Sequence, residues 1–117
     1  MQVMDKEIVM YVRRAFCPNV ALARDVLNRH HIPYREVFID KDPAMADRVK
    51  AWTDFHSVPT IILANPGEDV PYTDFLPRPT DRTNRGYDRG PMITEPNNAD
   101  LENWLYRNGF LDKPYQR

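Results

Sequence analysis

The stretch Glu7-Ile8-Val9-Met10-Tyr11-Val12, followed by Arg13-Arg14-Ala15-Phe16-Cys17-Pro18-Asn19-Val20, decides how the chain is organised. Its first half reads as a short buried strand. Pro18 suits the first position of a helix, where its missing N–H would have had no intrahelical partner. Cys17 then falls at or near the N-cap, at the positive end of the helix dipole, where free N–H groups favour a thiolate over a thiol. Arg13 and Arg14 add positive charge a few residues earlier. We expect a reactive thiol at Cys17, the ordinary alternative being a small buried hydrophobe. For Arg13 and Arg14 the ordinary alternative is a solvated loop charge.

Outward from that stretch, strand and helix signals alternate. Val20, Ala23 and Leu27 form the apolar stripe of a helix over residues 18 to 31, closed by His30 and His31 and stopped at Ile32-Pro33. Residues 34 to 39 read as the second strand. Asp42-Pro43 repeats the cap-then-proline start, and Met45, Val49 and Trp52 give the second helix, about 43 to 53. Val58 to Ala64 is a continuous apolar run that suits a strand covered on both faces, with Pro59 tolerated near its start. Residues 91 to 95 suit an edge strand. Asn98 is the best N-cap for the last helix, whose stripe is Leu101, Trp104 and Leu105, and Asn108-Gly109 ends it.

Between the last two strands, residues 65 to 89 have no sustained period and are rich in proline turns, longer than an ordinary connection. Starting at the far pole of the sheet, 25 residues can still fold back to the thiol or cover a sheet face. Tyr72, Phe75 and Tyr87 alternate there with Arg78, Arg82, Arg85 and Arg89, a mix seen in nucleic-acid binding. Glu68, Asp69, Asp74, Asp81 and Asp88 cancel the field, so we expect no nucleic-acid partner. A protein-binding or self-association surface is the better expectation, with a partly disordered loop as the alternative.

The totals fit one soluble domain over residues 1–117: 42% hydrophobic residues, a net charge of −1, no apolar run of membrane length and no leader pattern. A single cysteine makes no internal disulfide, which suits a reducing, cytoplasmic setting. With three scattered histidines it also gives no metal-ligand spacing, so no metal is expected.

The order β-α-β-α-β-β-α, with Cys17-Pro18 opening the first helix, Ser57-Val58-Pro59-Thr60 opening the third strand and Glu95-Pro96 ahead of the last helix, resembles the glutaredoxin branch of the thioredoxin superfamily. The resemblance covers about residues 7 to 64 and 90 to 109. It implies an α/β fold of thioredoxin type, with a mixed four-stranded sheet flanked by helices. It further implies that Cys17 is the catalytic thiol and that Pro59 is cis and beside it. The Val58 backbone would pair, strand-fashion, with a bound thiol peptide such as glutathione. Arg13, Arg14, Phe16, Val58, Pro59, Asn97 and Asn98 are the candidate contacts for that peptide, Asn97 and Asn98 being helix caps in the ordinary reading.

The departures narrow the chemistry. Cys-x-x-Cys appears as Cys17-Pro18-Asn19-Val20, with no resolving cysteine; Cys-Gly-Phe-Ser is absent; Pro96-Asn97 replaces Gly-Gly; and Ala99 stands where an Asp is common. The expectation is a one-thiol oxidoreductase acting on mixed disulfides between proteins and a low-molecular-weight thiol, with glutathione or another such thiol as co-substrate. The alternatives are a non-catalytic interaction module that uses the 65–89 loop, and an iron–sulfur carrier built from two chains and two small thiols.

Overall fold

A computed structural model describes residues 5–116. Seven elements follow in chain order: β1 (Glu7–Val12), α1 (Pro18–Arg29), β2 (Tyr34–Phe38), α2 (Pro43–Thr53), β3 (Thr60–Ala64), β4 (Met92–Thr94) and α3 (Asn98–Arg107). They build a mixed four-stranded sheet in the order β2-β1-β3-β4. β1 runs parallel to β2 and antiparallel to β3, and β4 runs antiparallel to β3. The two inner strands are the two most apolar runs in the chain, and from Ile8 to Val12 and from Thr60 to Ala64 every residue is buried. The outer strand β2 is half-buried throughout, which suits its mixed sequence Tyr-Arg-Glu-Val-Phe.

The helices form where the capping chemistry places them. Asp42 caps α2, its Oδ1 accepting the Ala44 N–H at 3.0 Å. α1 and α3 pack against each other, burying Val20, Ala23, Val26 and Leu27 on one and Leu101, Trp104 and Leu105 on the other. α1 ends at Arg29, two residues short of expectation. His31 turns left-handed at φ 57°, and the Ile32 N–H bonds back to the Leu27 carbonyl at 2.9 Å, a closing turn that usually takes glycine. β2 stops at Phe38, although the Ile39 N–H still reaches the Val12 carbonyl. β3 starts at Thr60, because Pro59 has no N–H to give the ladder. The cap of α3 is also corrected. Asn97, rather than Asn98, is the N-cap: its Oδ1 accepts the Asp100 N–H at 2.7 Å, and the Asp100 carboxylate reaches back to the Asn97 N–H.

Residues 65–89 are a packed excursion. They turn at the far pole, where Arg35 holds Asp69 Oδ1 at 2.7 Å and the Glu68 carbonyl at 2.6 Å. The Tyr72 N–H bonds to the Leu63 carbonyl as the chain starts back. Phe75 packs on Trp52 of α2, which stands edge-on to Tyr11 of β1. Arg78 pairs with Asp54 at the end of α2, Asn84 Nδ2 donates to the Thr53 carbonyl at 2.8 Å, and the Gly86 N–H bonds to the Thr94 carbonyl at 2.7 Å. The excursion therefore both covers α2 and returns to the end of the sheet that carries the thiol.

Candidate active site

The register of the sheet brings three loops to one end. Tyr11 pairs with Thr60 and Thr60 with Thr94, so β1 and β4 finish where β3 begins. The Glu95 N–H bonds to the Pro59 carbonyl at 2.8 Å, and Thr60 Oγ1 holds the Ser57 carbonyl at 2.9 Å. The loops before α1, before β3 and before α3 thus meet here, together with the N-termini of two helices.

Cys17 is the N-cap of α1, with extended backbone and no side-chain cap bond; it is free and half-buried against the core. Its carbonyl accepts the Ala21 N–H at 3.0 Å, while the thiol is left for other chemistry. The Val58–Pro59 peptide is cis, and both residues are buried, Val58 at 2% exposure. Neither the N–H nor the carbonyl of Val58 finds a hydrogen-bond partner among the described residues. A buried backbone unit with no partner is uncommon, and here it borders an open cleft.

The two arginines separate. Arg13 lines the cleft, whereas the Arg14 N–H bonds to Asp40 Oδ2 at 3.0 Å and its guanidinium stands 3.6 Å from the same carboxylate. Phe16 is 83% exposed beside Cys17. Asn97 is occupied with capping, and Asn98, one residue on, buries its Oδ1 without a partner among the described residues.

The cleft has a volume of about 880 Å³. It is lined by Asp54 to Val58 with Arg13 and Glu95, and by residues of the excursion, chiefly Arg78, Arg82, Thr83, Asn84 and Arg85. Arg85 Nη2 lies 3.4 Å from Glu95 Oε2. None of these excursion residues could be assigned to the site from the sequence. The spaced arginines were the available signal, but their position depends on contacts with residues some thirty positions away. His56 lines the cleft and is exposed.

A family model described as Glutaredoxin matches residues 8–65, from β1 through the cis proline to the end of β3. The chain is a glutaredoxin-like protein of the thioredoxin superfamily. No curated protein and no solved structure matches it. The glutaredoxin-like segment includes Cys17, Val58 and Pro59 and stops at the first residue of the excursion, before Arg82 and Asn97. The family supports thiol–disulfide oxidoreductase-type function in general, and its members generally use glutathione as co-substrate. Among the described residues, no group of three or more His, Cys, Asp or Glu side chains is placed to hold a metal ion, and no helix is long and apolar enough to cross a membrane.

Proposed function

We propose that this glutaredoxin-like protein reduces mixed disulfides between proteins and a low-molecular-weight thiol, with Cys17 as the sole nucleophile. The Cys17 thiolate attacks the carrier sulfur of the mixed disulfide, the protein–carrier bond breaks, and the protein leaves as a thiolate. Cys17 is then disulfide-bonded to the carrier. A second carrier thiolate attacks that carrier sulfur, freeing Cys17 and yielding the carrier disulfide. One disulfide is exchanged for another: the protein sulfur is reduced to a thiolate, one free carrier thiol is oxidised, and the other half of the carrier disulfide arrives with the substrate. With no second cysteine in the chain, this is the exchange that balances.

The observation that carries the reading is the unpaired Val58 backbone lining the cleft. A peptide-like thiol carrier can lie along it as an added strand, taking the free N–H and carbonyl in one short pairing. Glutathione is the carrier we propose, and a reducing compartment such as the cytoplasm is the setting in which its thiol form would be available.

The test is turnover of a glutathionylated peptide with glutathione in excess. The intact chain should release free peptide. Cys17→Ser should lower the rate by roughly 100-fold or more, the scale expected when a nucleophile is removed. Mass spectrometry of the stalled reaction should find glutathione attached to Cys17. A folded wild-type chain with no turnover would replace this reading with a non-catalytic interaction module.

A further inference from the structure

The cleft beside Val58 is lined by four arginines against two carboxylates, and the arginines are not equivalent. Arg78 is paired with Asp54 and Arg85 with Glu95. Arg82 has no carboxylate partner among the described residues, yet it is held in place. Its Nε donates to the Thr83 carbonyl at 3.1 Å, its Nη2 donates to the Arg85 carbonyl at 2.6 Å, and its guanidinium lies 5.2 Å from the centre of the Tyr87 ring. Those two bonds use two of the five N–H donors of a guanidinium, and the rest stay free in a fixed plane. An arginine fixed in this way loses less side-chain freedom when it binds a carboxylate than a loose surface arginine does.

We infer that Arg82, supplied by the excursion, is a specificity-determining residue that binds a carboxylate of the thiol carrier, so that the site selects a carrier bearing carboxylates over a neutral or cationic one. The chemistry fits the place. Arg13, Arg82 and the loop of Ser57 and Val58 line the same cleft, so a carrier lying along Val58 would have its polar ends within the field of Arg13 and Arg82. Arg82 lies outside the segment matched by the family model, so this contact would be a feature of this chain. The inference rests on the thiol-carrier reading above for the location of the carrier, and its test is a binding measurement independent of exchange.

The probe is S-methylglutathione, which cannot exchange, titrated into the full chain at low and at moderate salt. Arg82→Gln should weaken its binding about tenfold, the scale of losing one charge-assisted hydrogen-bonded contact at a partly open site. The same variant should change the affinity of the probe's dimethyl ester far less. Arg82→Lys, which keeps the charge without the fixed plane, should fall between. Equal binding of the free acid by wild type and Arg82→Gln would overturn the inference. So would an equal loss for acid and ester, or no binding to wild type at all. Arg82-dependent binding without turnover of a glutathionylated peptide would keep this contact and remove the exchange reading. Turnover with no Arg82 dependence would do the reverse.

Discussion

Gly86 sits at φ +72°, where a side chain is strained, and a Cβ at that position would collide with the carboxylate of Asp100. That carboxylate is half of the capping box that starts α3, so one glycine joins the excursion to the start of that helix. Gly86→Ala should therefore cost more than its backbone strain alone. The left-handed conformation accounts for roughly 1–2 kcal/mol, and disturbing the cap adds about 1 kcal/mol. Gly67 is the internal control: it has φ +83° and open space, with nothing within 4 Å of where a Cβ would stand, so Gly67→Ala should show the backbone strain by itself. Urea unfolding of both variants measures the difference. Equal losses would mean that Asp100 moves aside without consequence for the helix start.

At the scale of elements, Arg89 fixes the excursion against the domain. It is 3% exposed, with Nε donating to the Leu76 carbonyl at 2.8 Å and Nη1 to the Trp52 carbonyl at 2.8 Å. Its plane lies 4.8 Å from the centre of Phe75. Burial, and then the nearby Arg78 charge, push its pKa below that of an ordinary arginine, but a guanidinium keeps its proton at neutral pH. One cation thus ties α2, the start of the excursion and the residues before β4 into a single unit. Arg89→Met fills similar space but leaves two carbonyls without donors, and we expect a loss of about 2 kcal/mol. Limited proteolysis should then cut between residues 65 and 89 sooner than in wild type, while α1 and α3 stay protected. Unchanged cleavage and stability would show that the aromatic contacts hold the excursion without Arg89. The fold outside this segment was legible in the sequence because its signals are local: Cys17-Pro18 and Asp42-Pro43 open helices, Asn108-Gly109 closes one, and two unbroken apolar runs make the inner strands. The excursion was not, because Arg78 with Asp54 and Asn84 with Thr53 are pairings that no period or turn rule encodes. Asn97 and Asn98 were separable only by geometry, since either asparagine has the chemistry of a cap.

Over the whole molecule, Tyr11 connects the parts that the chain order keeps apart. It lies fully buried in β1, its ring packs on Trp52 of α2, its hydroxyl donates to the Asp69 carbonyl in the excursion, and it accepts from Arg48 Nη1 at 3.1 Å. The contact with Asp69 spans 58 residues of sequence, so forming it requires the sheet, α2 and the excursion to be in place together. Burial raises the Tyr11 pKa above the ordinary 10.0, with the Arg48 hydrogen bond pulling the other way and not overcoming it. The consequence for stability follows from proton counting. Below about pH 10 the hydroxyl is protonated in both folded and unfolded chains, and it adds no pH dependence. Above that pH the unfolded chain gives up the proton while the fold retains it, so the fold loses stability as pH rises towards the folded pKa. Tyr11→Phe removes this titration. At neutral pH it should lower stability by about 1 kcal/mol, because Asp69 and Arg48 lose their shared partner. Above about pH 10, however, its unfolding midpoint should fall less steeply than that of wild type. Parallel curves through that range, with a constant offset, would mean that the Tyr11 hydroxyl titrates in the fold as it does in the unfolded chain, and that the tie between sheet and excursion carries no alkaline sensitivity.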